Sequence, residues 1–339
     1  MLQDNNLKFN WPFFGNKHII DFLQQGIANG RLAHFYIFSG ARDLGKSTIA
    51  KYFANSLLCE NFSKRQRDLP CMVCASCRQA QKNIHSDIIW LDKESGKKNI
   101  SVEQVRDFIR VMSMGTFFGK YKIGIVKSAD DLSSEAANAL LKTLEEPKGD
   151  KVIILLANFM ENLPMTILSR AQVLNFLPVG AGDIYDYLLQ EHQTGRDQAK
   201  TLSRFCLGRP ALAVKFLQDN DFLQNKLKIV ALLSKIMSAP IYKRFLLIED
   251  VLKCADKDED NRDYAEEVLY LWQLVARDLI LNGINAHSLS VADGYVEKKE
   301  FSADINKLLS IHKHIEKGKK YLAANVLPKL VLENISLQF

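Results

Sequence analysis

Apolar runs and helical repeats alternate through the first half of the chain. Four runs are almost continuously apolar, as buried strands are, and they cover residues 35–38, 88–91, 121–126 and 152–158. Between them lie stretches with apolar residues at three-to-four spacing, such as 102–112 and 133–146, the latter with Ser133 as its N-cap and Pro147 at its end. Near-continuous apolar strands separated by helices are typical of a parallel sheet covered on both faces. The pattern therefore predicts an α/β domain.

This alternation stops at about residue 180. From Ala181 onward the periodicity is helical, and it is clearest over residues 263–281, where Val268, Leu271, Val275 and Leu279 recur at three-to-four spacing. A stripe of this kind is far more often the core of a helix bundle than a ligand site. We therefore expect the last third of the chain to be all-helical.

A glycine-bearing loop lies between the first predicted strand and the helix after it. Residues 40–47, Gly-Ala-Arg-Asp-Leu-Gly-Lys-Ser, fit the G-x-x-x-x-G-K-[ST] pattern in its strand–loop–helix setting. The backbone N–H groups of such a loop surround an anion, and the helix N-terminus adds positive potential. We expect the phosphates of ATP or ADP to be bound by Gly40, Gly45, Lys46, Ser47 and Thr48, with Lys46 on the β- and γ-phosphates and Ser47 on Mg²⁺. An ordinary glycine turn is the alternative.

Composition excludes several other classes of protein. The chain has 339 residues, 47% of them hydrophobic and 25% charged, which is ordinary for a soluble protein of two or three domains. Its apolar runs fall short of the ~20 residues of a membrane span, and the polar N-terminus lacks the core of a signal peptide. We therefore expect a cytoplasmic protein with no membrane partner. The net charge of +6 permits contact with nucleic acid without indicating it.

Four of the six cysteines lie close together in the sequence, namely Cys59, Cys71, Cys74 and Cys77. Clustered cysteines in a cytosolic chain favour a metal over disulfides. Four thiolates in a tetrahedral array hold Zn²⁺ with no open position, which describes a structural site. An iron–sulfur cluster is the rival, although no further cysteine follows Cys77 at short range, and free thiols are the third option. Structural zinc is the expectation.

Hydrolysing phosphate-loop enzymes have acidic residues at the end of a strand beside the loop. This chain has no acidic residue directly after the corresponding strand. Such enzymes use carboxylates at the end of a neighbouring strand to hold the Mg²⁺ shell and to orient water. In this chain the run 121–126 is followed by Lys127 and Ser128. Asp130 and Asp131 lie beyond the strand end, where a solvated turn is favoured over a shifted catalytic role. The sequence therefore has residues that bind phosphates but lacks the acidic residues needed to hydrolyse ATP.

One segment resembles a known family. Residues 138–147, Asn-Ala-Leu-Leu-Lys-Thr-Leu-Glu-Glu-Pro, resemble the signature helix of bacterial clamp-loader subunits, which are AAA+ proteins. The lead-in 30–35, the phosphate loop, the cysteine cluster, His85-Ser86-Asp87, Leu168-Ser169-Arg170 and the ending 324–333 fall in the order that the family shows, so the resemblance spans nearly the whole chain. It implies an AAA+ phosphate-loop domain with a parallel sheet (1–173, with the zinc module at 59–77), a small helical lid (174–217) and an all-helical collar for oligomerisation (218–339).

Within this family the chain is most similar to the delta-prime class of DNA polymerase III clamp-loader subunits, with the tau and gamma motor subunits as near relatives. The family's third loop glycine is Asp43 here, and the motor's acids are replaced at the strand end described above. The arginine of the motor's second sensor falls at Ala211, with Arg209 close by but at the wrong turn of the helix start. The chain also ends at Phe339, without the long C-terminal extension of a motor. These departures favour the delta-prime class.

The resemblance also implies a role for Arg170. The family's Ser-Arg-Cys is Ser169-Arg170-Ala171 here, and Arg170 would be an arginine finger that acts in trans on the ATP site of an adjacent motor subunit. Taken alone, the same arginine would be assigned to a surface salt bridge. Asn158 falls in the neighbourhood of the family's first sensor.

The expected function is therefore that of a stator in a hetero-pentamer with tau/gamma and delta subunits. It would help to load the sliding clamp onto primed DNA during DNA replication, as part of a DNA-directed DNA polymerase holoenzyme (a nucleotidyltransferase), with little ATPase activity of its own. The expected cofactors are structural Zn²⁺ and ATP or ADP with Mg²⁺, bound but not hydrolysed. The alternatives are an active ATPase motor of the same complex and a stand-alone phosphate-loop protein.

Overall fold

The computed structural model describes residues 7–63, 68–94, 97, 99–145, 149–255, 261–283, 305–324 and 326–338. The strands are β1 (Lys8–Phe9), β2 (Phe35–Ser39), β3 (Asp68–Leu69), β4 (Ile88–Leu91), β5 (Lys122–Val126), β6 (Lys151–Ala157) and β7 (Gln172–Asn175). The α-helices are α1 (Lys17–Asn29), α2 (Lys46–Leu58), α3 (Glu60–Ser63), α4 (Ala75–Gln81), α5 (Val102–Ser113), α6 (Ser134–Glu145), α7 (Met165–Leu168), α8 (Ala181–His192), α9 (Arg196–Phe205), α10 (Pro210–Gln218), α11 (Asn220–Ser238), α12 (Ile241–Leu252), α13 (Asn261–Gly283), α14 (Ile305–Ala323) and α15 (Pro328–Ser336). The chain forms two compact units, one of Met1–Ala199 with Cys206–Leu212 and the other of Lys200–Phe205 with Ala213–Phe339.

A parallel sheet organises the first unit. In the described part of that unit its strand order is β4-β5-β6-β2-β7, and every pair is parallel. The four strands predicted from apolar runs are confirmed as β2, β4, β5 and β6. The pattern does not predict β7, because that strand lies at the edge of the sheet and only Val173 and Leu174 of its residues are apolar.

The helices cover both faces of this sheet. Side chains alternate along β2, so that Tyr36 and Phe38 pack into a cluster with α1 and α2, whereas Phe35 and Ile37 pack into a second cluster with α5 and α6. All four of these side chains are buried. Burial on both sides explains why these strands are continuously apolar.

The carboxyl ends of the parallel strands meet at one edge of the sheet. Gly40 follows β2 at this edge, Asp92 follows β4, Lys127 follows β5 and Asn158 follows β6. In open parallel sheets, ligands bind outside the carboxyl ends of the strands. The chain therefore brings its phosphate loop to the edge where such a site belongs.

Local capping fixes the helices that flank this edge. At the start of α5, the Ser101 hydroxyl accepts from the Gln104 N–H and the Gln104 side chain accepts from the Ser101 N–H. The predicted N-cap of α6 is confirmed, since the Ser133 hydroxyl accepts from the Ala136 N–H at 3.1 Å. Glu146 and Pro147, at the predicted end of that helix, lie outside the described residues.

The secondary-structure elements in the described part of the second unit are all helices, as predicted, and the segment 263–281 lies within α13. Its helices are joined by polar contacts, including one of 2.6 Å between the buried Lys226 ammonium and the Glu267 carboxylate. In the described ranges, none of the helices has the length and apolarity needed to cross a membrane. The division into a lid and a collar stays a prediction.

Candidate functional site

The phosphate loop needs glycine at two positions. Gly40 has a φ of +140°, and a Cβ there would lie 2.5 Å from the Phe176 carbonyl oxygen. Gly45 has a φ of +89°, and its Cβ would lie 2.2 Å from the Phe13 ring. Both the backbone conformation and the close neighbours therefore exclude a side chain. Asp43, where the family usually has glycine, also adopts a left-handed φ of 60°, which aspartate tolerates better than most residues.

Lys46 lies inside the loop and is only 7% exposed. Its ammonium donates to the carbonyl oxygens of Gly40 and Ala41 and, at 3.0 Å, to the Asn158 side-chain oxygen. Burial lowers the pKa of Lys46 to about 8, and the negative charge of Asp130 opposes this shift. The lysine is positioned to meet a phosphate, and its charge is sensitive to pH just above neutrality.

Asp130 is placed differently from the expectation. Its carboxylate accepts from the N–H groups of Asn158 at 3.3 Å and Phe159 at 3.4 Å. Burial raises the pKa of Asp130, and these backbone hydrogen bonds oppose the rise. The interpretation of this stretch as a solvated turn is therefore wrong for Asp130, which supports the Asn158 turn beside Lys46. The chain folds Asp130 back through a short 3₁₀ turn, Ala129–Asp131, which no local pattern indicates.

An ammonium follows β5 where a hydrolysing enzyme has its acids. The Lys127 ammonium lies 3.2 Å from the Asp92 carboxylate and 5.4 Å from the centre of the Trp90 ring. The second-sensor position is also close to the loop, because the Ala211 N–H donates to the Asp43 carbonyl oxygen at 3.1 Å. Alanine brings no guanidinium to this place, whereas Arg209 is buried and its Nε donates to the Cys206 carbonyl oxygen.

Arg170 lies on the surface between α7 and β7. Its guanidinium is 2.6 Å from the Glu145 carboxylate, and it donates to the Thr166 carbonyl at 2.8 Å and to the Ser169 hydroxyl at 3.2 Å. Among the described residues its polar contacts do not include the phosphate loop of the same chain. The side chain is 37% exposed. The salt bridge expected of an isolated arginine is therefore present, and the group remains accessible from outside.

The four clustered cysteines converge at the carboxyl end of α2. Their sulfur atoms all lie within 4.8 Å of one another, and backbone N–H groups point at three of them at 3.4 Å. A tetrahedral zinc site with Zn–S bonds near 2.3 Å needs sulfurs about 3.8 Å apart. The donor set and its spacing therefore fit Zn²⁺, which would crosslink α2 to the start of α4. The thiol of Cys77 hydrogen-bonds to Cys59, which holds the pKa of Cys59 below its usual value and raises that of Cys77.

His85 and Asp87 connect this module to the sheet. The Asp87 N–H donates to His85 Nδ1 at 3.0 Å, so Nε2 carries the proton and donates to the Ser76 hydroxyl at 2.9 Å. Ser76 in turn donates to the Leu58 carbonyl at 2.7 Å. Burial lowers the pKa of His85, which keeps this imidazole neutral. The motif is a structural hydrogen-bond chain rather than a catalytic one.

Comparison with known proteins gives a consistent set of relatives. A family described as DNA polymerase III, delta subunit, matches residues 15–180. The gamma subunit of DNA polymerase III from Buchnera aphidicola subsp. Schizaphis graminum is 30% identical over 251 residues, which cover 70% of this chain and 67% of that protein. The delta′ subunit from Bacillus subtilis is 25% identical over 326 residues, covering 94% of each chain.

Coverage differs among these relatives. The chain spans 23% of the length of the Salmonella typhimurium tau subunit and 46% of that of the gamma subunit from another Buchnera aphidicola strain. Among solved structures, a gamma subunit-related protein from Thermotoga maritima aligns with a TM-score of 0.45 at 18% identity, covering 93% of this chain and 97% of that one.

Proposed function

The chain belongs to the family of DNA polymerase III clamp-loader subunits that includes gamma, tau and delta′, and from this premise we propose that it is a non-hydrolysing stator of the delta′ class. It assembles with tau/gamma and delta subunits in a hetero-pentamer. In that complex it helps to load the sliding clamp onto primed DNA. Each of these partners is inferred from the family.

One observation carries the choice of stator over motor. The phosphate loop is formed, with Lys46 inside it, yet the residue directly after β5 is Lys127, whose ammonium pairs with Asp92. An ammonium cannot ligate Mg²⁺ or accept a proton from water. The alanine at the second-sensor position supports the same choice.

The motor function has one observation in its favour, which is Asp130. Its negative charge acts on Lys46 and opposes the fall in the pKa of that lysine that burial causes. Two backbone N–H groups already hold its oxygens, which supports a structural role. The stand-alone phosphate-loop function has no comparable support, since the relatives are subunits of a polymerase.

We expect the isolated chain, with ATP and Mg²⁺, to release phosphate no faster than its Lys46→Ala variant. The physical reason is that the loop orients the nucleotide while nothing at the end of β5 activates water. Phosphate release at saturating ATP measures this, with Asp130→Asn as the matched variant for the alternative acid. Turnover that is fast in the wild-type chain and lost in both variants would identify a motor.

Nucleotide binding itself is expected to depend on pH through Lys46. The protonated lysine binds phosphate, and its pKa of about 8 in the free protein means that it is charged below pH 8 and loses its proton above. A bound phosphate stabilises the charged form, so binding takes up a proton at higher pH and affinity falls by up to about tenfold per pH unit. Calorimetric titration with Mg²⁺·ADP at pH 7 and pH 9 tests this.

The control for this pH profile is Lys46→Arg, whose guanidinium stays charged throughout that range. This variant is expected to bind Mg²⁺·ADP more weakly than the wild type, with an affinity that does not change between pH 7 and pH 9. An equal fall in affinity between pH 7 and pH 9 in the wild type and in this variant would show that a group other than Lys46 causes the pH dependence.

We also propose that Zn²⁺ occupies the four-cysteine cluster as a structural ion. The sulfur geometry supports it, as does the position of the cluster between α2 and α4. When bound, the ion supplies a rigid crosslink and no chemistry, since four protein ligands leave no open position.

A further inference from the structure

A cavity of about 660 Å³ runs along one side of α2 in the first unit. Its lining on that helix extends from Ser47 to Asn55, about two turns, and Trp90 and Lys127 line it from other segments. Of the described residues that line it, only Ser47 and Thr48 belong to the phosphate-binding motif. Its volume falls within the roughly 300–1,000 Å³ of small-molecule sites. The cavity shares Ser47 and Thr48 with the phosphate loop and extends beyond it along α2.

Two ammonium groups line this cavity. Lys51 donates to the Gln81 carbonyl oxygen at 3.0 Å, and burial lowers its pKa, so its charge is incompletely solvated. Lys127 pairs with Asp92 at 3.2 Å, and both side chains are about half exposed, which makes that pair weak and exchangeable. The hydroxyl of Ser47 lies at the same wall as Lys51. Two cations and a hydroxyl group are suited to an anion such as a phosphate group.

Asn55, another lining residue, carries a buried acceptor. Asn55 is only 2% exposed, and its side-chain oxygen has no hydrogen-bond partner among the described residues. A buried carbonyl without a partner costs roughly 1–3 kcal/mol. A ligand that presents an N–H or O–H group to Asn55 removes this cost once the amide turns its oxygen toward the cavity. The ligand therefore combines an anionic group with a hydrogen-bond donor.

We propose that this cavity binds a nucleoside monophosphate, with its phosphate between Lys51 and Lys127 and a donor of its base or sugar on the Asn55 oxygen. The indole of Trp90 supplies an apolar wall for the ring system. This site does not rest on the proposed function, because it needs neither hydrolysis nor a neighbouring subunit. It differs from the phosphate-loop site in that it needs neither Lys46 nor Mg²⁺.

The test is calorimetric titration of the full chain with AMP, without added magnesium. Wild-type protein is expected to bind AMP, Lys46→Ala to bind it equally well, and the Lys51→Gln/Lys127→Gln double variant to bind at least about tenfold more weakly. If AMP binds to none of them, or if Lys46→Ala removes binding that the double variant keeps, the proposal is overturned. Lys127→Gln alone, a change at a half-exposed position, serves if the double variant does not fold.

Asn55→Leu separates the donor contact from the charge contact. Leucine has a similar shape and leaves no unpaired acceptor, so the thermal unfolding midpoint is expected to stay level or rise. AMP binding is expected to weaken several-fold, whereas any binding of inorganic phosphate stays unchanged. If Asn55→Leu binds AMP as tightly as the wild type does, Asn55 does not contact the ligand and the proposed pose is contradicted.

Discussion

Replacing Arg170 by alanine is expected to lower ATP turnover by roughly 10³-fold at the neighbouring active site that it faces, while the complex still assembles. A guanidinium in trans stabilises charge on the transferring phosphoryl group, and alanine supplies none. Active sites served by other subunits continue to turn over, so total activity falls by the share of this one site. Phosphate release by the assembled complex, with assembly followed by size-exclusion chromatography, measures the effect.

The intramolecular contact of Arg170 is compatible with this role. Its pair with Glu145 is partly exposed on both sides, and such pairs contribute about 1 kcal/mol or less. Exchanging Glu145 for a phosphoryl oxygen therefore costs little. Arg110→Ala is the matched control, because Arg110 also pairs with a carboxylate, that of Asp107 at 3.0 Å, and is 70% exposed. Equal turnover in the Arg170→Ala and Arg110→Ala complexes would contradict the finger.

Replacing Cys74 by serine is expected to release the zinc ion and to lower the free energy of unfolding by several kcal/mol. Binding of structural zinc contributes an apparent 10–16 kcal/mol in zinc-finger peptides, and part of that stabilisation is transmitted here because Cys59 and Cys77 are buried in the core around α2. Elemental analysis should find about one zinc per wild-type chain and less in the variant. Urea unfolding of both proteins measures the stability.

Cys254→Ser provides the control for this experiment. Cys254 lies outside the cluster, and its thiol donates to the Asp250 carbonyl one turn earlier. We expect this variant to keep its zinc and its urea midpoint. Iron in the wild-type protein would favour the iron–sulfur alternative, and absence of any metal together with an unchanged midpoint in Cys74→Ser would favour free thiols.

The sequence pattern alone predicted the structural features that depend on residues close together in the chain. The strand–loop–helix order around Gly40 and the apolar runs of β2 and β6 are of this kind, because strands buried on both faces are almost continuously apolar. The cysteine spacing likewise indicated a cluster that the fold assembles.

Features that depend on distant segments could not be predicted. Asp130 looks solvated in sequence, and only the turn after β6 shows that its carboxylate is engaged. The pairing of Arg170 with Glu145 joins two segments whose mutual position is set by the sheet. The cavity beside α2 is also invisible in the sequence, because its walls come from separate segments. Edge strand β7 was missed because one-sided pairing relaxes the demand for apolar residues.

The engagement of Lys46 has a consequence for how the phosphate loop holds its shape. Its ammonium already ties the end of β2 to the end of β6, through the Gly40 and Ala41 carbonyls and the Asn158 amide. An internal tie of this kind holds the two strand ends together through contacts within the chain alone. The loop is therefore pre-shaped, and an entering phosphate must compete with these three oxygen acceptors for the ammonium.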